Sequence, residues 1–114
     1  MRAPTRPQVD SVFGALADPT RRHVVETLAR GGTVTASGLA EQLPITRQAV
    51  AKHLSALRGA DLVTSTRVGR ETQYRLRPEP LDDAANWIQT VSAEWDDRLD
   101  ALRRSIESRQ GRST

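Results

Sequence analysis

Two short helical segments with almost no chain between them constrain the fold of this sequence most. The first runs from its cap Thr35 to Pro44, and the second, 47–58, follows its own cap Thr46. Threonine is a favourable N-cap, and proline disfavours continuation of the helix before it. A connection this short predicts a helix-turn-helix pair rather than one continuous helix.

The second segment is amphipathic, and its outer face is polar and free of acid. Its inner face carries Ala49, Val50, Leu54 and Leu57. Its outer face carries Arg47, Gln48, Ala51, Lys52 and Ser55. A helix with this pattern buries the apolar stripe and exposes the other face. The exposed face suits a polyanion, although many such faces are simply solvated.

A β-hairpin is predicted directly after these helices. The runs Val63–Val68 and Glu71–Leu76 are separated only by Gly69 and Arg70, a glycine-first two-residue turn. The turn pairs the last residue of the first run with the first residue of the second. Arg67 and Arg70 then lie at the tip of the hairpin.

Two further helices precede this region. The first has helical spacing of apolar residues over 9–17. Asp18 caps the second, and a Gly-Gly pair at 31–32 ends it. Pro19 stands at its first position, where the missing N–H costs nothing.

A long helix is predicted over 81–108. Its apolar residues recur at steps of three and four, namely Leu81, Ala84, Ile88, Val91, Trp95, Leu99, Leu102 and Ile106. At about 1.5 Å per residue this helix is about 40 Å long, more than the rest of the chain can cover. The stripe therefore predicts contact with another chain.

Together these elements predict a mainly α fold with five helices and a small β-hairpin. We expect a disordered basic arm over 1–8, a winged helix-turn-helix domain over 9–80, a dimerisation helix of the same domain over 81–108, and a disordered tail over 109–114. A chain of 114 residues has the length of one domain.

The charge is distributed unevenly along the chain. Residues 1–78 hold 12 basic and 6 acidic side chains, whereas residues 79–114 hold 5 basic and 8 acidic ones. Residues 44–77 alone hold 7 basic and 2 acidic side chains. This basic density around the helix pair and the hairpin favours a nucleic-acid partner.

Three segments carry a resemblance to a known family: LADPTRRHVVETLA, LAEQLPITRQAVAKHLSALRGADLV and VGRETQYRL. In this order and spacing, over roughly 13–77, they resemble the ArsR-type winged helix-turn-helix transcriptional regulators. The resemblance implies a homodimer joined through the first and last helices. It also implies an inverted-repeat operator of double-stranded DNA and a repressor that often controls its own operon.

Helix-turn-helix geometry assigns DNA contacts to the helix over 47–58, whose first residues reach base edges in the major groove. Arg47 and Lys52 can bind guanine, and Gln48 can bind adenine. Ala51 is small enough to approach a thymine methyl group, and Thr46 caps the helix next to a phosphate.

The hairpin is predicted to act as a wing in which Arg67 and Arg70 enter a narrow minor groove. His53 has two open roles, donating to a phosphate or packing at the base of the helix. Arg21 and Arg22 also have two, meeting the DNA backbone or forming salt bridges with the last helix.

Metal binding is not expected. At the positions of the family's paired cysteines this chain has Thr35 and Ser37, which supply no thiolate. A second common metal site of the family lies in the last helix and needs histidine there. The two histidines of this chain, His23 and His53, both lie upstream of that helix. The chain is closest to the metal-independent regulators that contain LADPTRR, and we expect no metal and no cofactor.

The predicted dimer interface combines the first and last helices. Its residues are Val12, Phe13, Ile88, Val91, Trp95, Leu99 and Leu102. Trp87 and Trp95 have two open roles, as core of this interface or as the lining of a pocket for an unknown small-molecule effector.

Other functional classes are disfavoured. The chain has no cysteine, no apolar run long enough to cross a membrane and no phosphate-binding loop or nucleophile motif. We therefore expect a cytoplasmic protein that is not an enzyme. The alternative function is a winged-helix module that binds another protein and no specific DNA.

Overall fold

The computed structural model describes residues 6–112, and side chains over 6–109. Within these residues the chain forms five helices and one three-stranded antiparallel sheet. In chain order they are α1 (Arg6–Leu16), α2 (Pro19–Gly31), β1 (Thr33–Thr35), α3 (Ala36–Gln42), α4 (Arg47–Gly59), β2 (Val63–Val68), β3 (Glu71–Leu76) and α5 (Glu79–Arg112). This architecture confirms the predicted winged helix-turn-helix.

The predicted caps begin their helices as expected. Asp18 Oδ1 accepts hydrogen bonds from the backbone N–H groups of Thr20 at 2.8 Å and Arg21 at 3.2 Å. The bond from Arg21 is the main cause that lowers the pKa of Asp18. The hydroxyls of Thr35 and Thr46 each accept from the backbone N–H three residues on, at 3.0 and 3.1 Å.

The hairpin forms with the predicted bounds and register. Val68 pairs with Glu71 and Val63 pairs with Leu76. Gly69 has a φ of 64°, the left-handed conformation that glycine adopts without strain. The turn therefore holds the wing in the register that the sequence predicts.

The strand β1 was not predicted. Thr33 and Thr35 pair with Arg75 and Gln73 of β3, so the sheet order is β1-β3-β2. A three-residue strand has too few residues for a periodic signal, and its stability comes from pairing with a strand about 40 residues away. The pairing attaches the start of α3 to the wing.

The described residues up to Ala84 form one unit, and its core is made of aliphatic side chains from helices and sheet. The largest fully buried side chains are Leu28, Leu39, Leu54, Leu57, Leu62, Val12, Val24 and Val50. The inner residues of α4 are therefore held by the core, which leaves the opposite face of α4 for solvent or a ligand.

The second unit begins at Ala85 and contains the larger part of α5. Every side chain described in it is exposed. No described helix combines the length and apolar character that crossing a lipid bilayer requires.

Parts of both ends that were predicted to be disordered are helical. Residues 6–8 of the predicted arm belong to α1, because Pro7 lies in the first turn, where no N–H is needed. The tail predicted over 109–114 is helical to Arg112, since the apolar stripe ends before the helix-forming residues do. Residues 1–5 and 113–114 lie outside the described residues.

Candidate nucleic-acid interface

The outer face of α4 carries the predicted base-reading residues. Arg47, Gln48, Ala51 and Lys52 are all exposed, and they lie within about 140° of the helix circumference. Thr46, also exposed, precedes them as the cap. One continuous surface therefore presents two cations, an amide and a small apolar residue.

The wing lies next to this face. A groove of about 380 Å³ is lined by residues from the start of α3, from α4 and from the hairpin. We call it the wing groove. From α4, Arg47 and Ala51 line the groove, whereas Gln48 and Lys52 do not. From the hairpin, Arg67 and Arg70 line it.

The arginines of the wing groove form no ion pair with another described residue. Among the described residues, the ion pairs join Arg77 to Glu79 and Arg103 to Asp100, away from the groove. The guanidinium groups that line the groove are exposed and keep their charge available for an anion.

His53 lies away from this face. It is half-buried, about 100° around α4 from Lys52, and its Nδ1 accepts a hydrogen bond from Arg21 Nε at 3.3 Å. This hydrogen bond joins α4 to α2. Both roles of His53, packing at the base of the helix and contact with a phosphate, stay predictions. The sequence carried no signal for a pair 32 residues apart.

The two arginines at the start of α2 have partners other than α5. Arg21 donates to His53, and Arg22 Nη1 donates to the carbonyl oxygen of Leu16 at 2.7 Å. These bonds join α2 to α4 and to the end of α1.

Val12 has to be removed from the predicted dimer interface. Its side chain is 0% exposed within this chain, so it has no surface left for a partner. Spacing on a helix cannot distinguish a stripe that faces the chain's own core from one that faces a second chain. Phe13 is half-buried and packs against the same core.

The predicted interface residues of α5 are exposed. The exposed fractions of Ile88, Val91, Trp95, Leu99 and Leu102 lie between 39% and 59%. They occupy about 80° of the helix circumference and form one apolar stripe. Exposed apolar patches of this kind mark interaction surfaces.

Nowhere among the described residues do three His, Cys, Asp or Glu side chains come together as a metal site requires. The Thr35 hydroxyl accepts the cap bond of α3, and a hydroxyl is a poor ligand for the soft metals that thiolates bind.

Comparison with known proteins agrees with this geometry. A helix-turn-helix domain model matches residues 16–66. The chain is 33% identical over 91 residues to the transcriptional repressor SdpR of Bacillus subtilis, which covers 80% of this chain and 100% of SdpR. It is 44% identical to an ArsR-like transcriptional regulator from Rhodococcus sp. RHA1, with a TM-score of 0.76 over 86% of this chain and 92% of that one. The chain belongs to the ArsR family.

A third relative of this ArsR-family regulator is the cadmium metal-sensor CmtR from Mycobacterium tuberculosis. The two sequences are 36% identical, and its NMR structure superposes with a TM-score of 0.54 over 72% of this chain and 84% of that one. Family membership makes the chain a DNA-binding regulator of transcription and not an enzyme.

Proposed function

We propose that this regulator is a homodimeric repressor that binds an inverted-repeat operator and senses no metal. The observation that carries the proposal is the exposed, acid-free face of α4 beside a wing tipped with arginines. Repression is supported by the similarity to SdpR, itself described as a transcriptional repressor.

In this proposal α4 enters the major groove. Arg47, Gln48 and Lys52 contact base edges, since arginine and lysine match guanine and glutamine matches adenine. Ala51 contacts a thymine methyl group, and Thr46 contacts a phosphate next to the start of the helix.

The wing supplies the second set of contacts. Arg67 and Arg70 enter the adjacent minor groove, where a narrow groove concentrates negative potential. Because these contacts depend on groove shape and phosphate charge, they add affinity more than base specificity.

The dimer is supported by the pattern of the α5 stripe. Its exposed residues follow steps of three, four, four and three, which are symmetric about Trp95. In an antiparallel pair centred there, Ile88 faces the partner's Leu102 and Val91 faces the partner's Leu99. Such a pair covers the stripe on both copies with the same contacts, as a two-fold interface requires.

The charges of α5 favour the same orientation. Residues 79–97 hold six acidic side chains and no basic one, whereas residues 98–112 hold five arginines and two acidic side chains. An antiparallel pair sets acidic halves against basic halves, and a parallel pair sets like charges together.

The proposed independence from metals rests on the missing thiols and on the poor donor set among the described residues. We expect the affinity for operator DNA to be unchanged by cadmium or zinc ions and by a chelator. A metal-dependent loss of DNA binding would show that this regulator senses metals.

Salt dependence of duplex binding tests the DNA-binding part. Each contact between a cation and a phosphate contributes about −0.9 to the slope of log K against log[salt]. We expect a steep slope on DNA from upstream of the protein's own coding sequence, together with tighter binding than to random DNA. Absence of binding at low salt would favour the protein-interaction module instead.

A further inference from the structure

The wing groove has the chemistry of an anion site. Hydroxyl groups and arginines line it together, namely Ser37 at the start of α3, Arg47 on α4, and Arg67, Arg70, Thr72 and Tyr74 on the hairpin. Hydroxyls and guanidinium groups are hydrogen-bond donors, and the guanidinium fork matches the oxygen atoms of a phosphoryl group.

The register of the hairpin brings these donors to one side of the sheet. Arg67 pairs with Thr72, and Tyr74 follows two residues after Thr72 on the same strand. Side chains two residues apart on a strand share a face, so the three point towards the same side. Thr72 and Tyr74 are half-buried, and both line the groove.

The charge balance of the groove is positive. Arg47, Arg67 and Arg70 line it together with one acidic residue, Glu71 at the start of β3. Within the described part of the chain, neither Glu71 nor the three arginines take part in an ion pair. Like charges around one cavity repel, and a bound anion relieves that repulsion.

The size of the groove fits a small molecule. Its volume of about 380 Å³ lies at the lower end of the range of small-molecule sites. It is also roughly a dozen times the share of one water molecule in the liquid. A ligand with one or two phosphoryl groups fits this space.

We propose that the wing groove binds the phosphoryl group of a small phosphorylated anion, and that the bound anion displaces DNA. The competition follows because Arg47, Arg67 and Arg70 are the residues that the proposed function assigns to DNA. This inference rests on that proposed function. The phosphoryl group has two sources, the DNA backbone and a free metabolite, which the experiment separates.

Calorimetric titration of the full-length protein with inorganic pyrophosphate, at constant ionic strength and without DNA, tests the site directly. We expect one site per chain and a loss of affinity of about tenfold or more in Arg67→Gln. The matched control is Arg75→Gln, which removes the same charge from the opposite face of the hairpin and should change the affinity less than about twofold.

A variant that gains affinity guards against misfolding as an explanation. Glu71→Gln removes the one acidic residue among those that line the groove and should tighten pyrophosphate binding. Absence of pyrophosphate binding, equal losses in Arg67→Gln and Arg75→Gln, or weaker binding by Glu71→Gln would each overturn the proposal.

The DNA arm separates the two sources. Pyrophosphate should raise the Kd for operator DNA more than sodium chloride of equal ionic strength does. If Arg67→Gln weakens DNA binding while pyrophosphate does not bind, the groove binds the DNA backbone alone. This inference then fails, and the proposed function stands. If pyrophosphate binds and operator DNA does not, the proposed function fails and the anion site stands.

Discussion

Arg47 is the first residue of α4 and lies both on its outer face and in the wing groove. Replacing it by alanine should cost about 1–3 kcal/mol of binding free energy and relax preference at one base pair in each half-site. Affinities for the operator and for singly substituted duplexes measure this.

Two variants provide the comparison for Arg47→Ala. Arg70→Ala, at the wing tip, should weaken binding to all sequences more evenly, and Arg58→Ala, at the far end of α4, should have little effect. Equal losses on operator and random DNA for Arg47→Ala would contradict its base-reading role.

Asp18 gives stability a dependence on acid pH. The backbone N–H of Arg21 lowers the pKa of this carboxyl below its ordinary value of 3.8. Because the folded-state pKa is lowered, the stabilisation is complete above about pH 3.8 and is lost as the pH falls through the lower folded value.

The variant Asp18→Asn isolates this effect, since asparagine also caps helices well. Urea unfolding from pH 7 to pH 2.5, at one protein concentration, should show a smaller acid-induced loss in Asp18→Asn than in the wild type. Parallel losses in the two proteins would show that Asp18 contributes nothing to the pH dependence.

Among the elements, the hairpin was predicted with its register and β1 was missed, for one physical reason. The turn at Gly69 and Arg70 fixes the pairing of β2 with β3 locally, so nearby sequence is sufficient. The strand β1 exists only because β3 lies next to it, and no pattern within Thr33–Thr35 encodes that neighbour.

In the candidate site, too, nearby sequence predicts some features, and others depend on contacts between distant elements. Thr46 and the outer residues of α4 follow from a cap and a helical period, and the structure exposes them as expected. The contact of Arg21 with His53 and the burial of Val12 depend on how separate helices pack, which no single helix encodes. The wing groove likewise requires α3, α4 and the hairpin together.

The orientation of α5 in the dimer is testable because the chain has no natural cysteine. In an antiparallel pair centred on Trp95, position 91 faces the partner's position 99, whereas the two copies of position 91 lie about 12 Å apart along the axis. Disulfides form only when Cα atoms lie within about 7 Å.

Oxidation of a mixture of Val91→Cys and Leu99→Cys should therefore yield mainly the mixed disulfide dimer on a non-reducing gel. Each variant alone serves as the control and should cross-link poorly. Efficient cross-linking of Val91→Cys with itself would indicate a parallel pair and would leave the proposed DNA contacts intact.

At the scale of the whole molecule, the α5 stripe should hold the dimer together. Leu99→Glu places a charge in the proposed interface, where it has no partner, and should convert the dimer to a monomer. Light scattering measures the mass. Ala93→Glu, on the opposite side of α5, is the matched control and should remain a dimer.

A dimeric Leu99→Glu protein would refute the assignment of the stripe. A monomeric one should also lose most of its operator affinity, because a single copy of α4 contacts only one half-site.

The most direct test is a footprint of the purified protein on DNA from upstream of its own coding sequence, at low salt. Two identical subunits should protect two inverted half-sites whose centres lie about 34–36 Å apart, one turn of the duplex. Protection of a single half-site, or no protection at all, would contradict the account of a two-fold regulator that inserts one α4 helix into each of two successive major grooves.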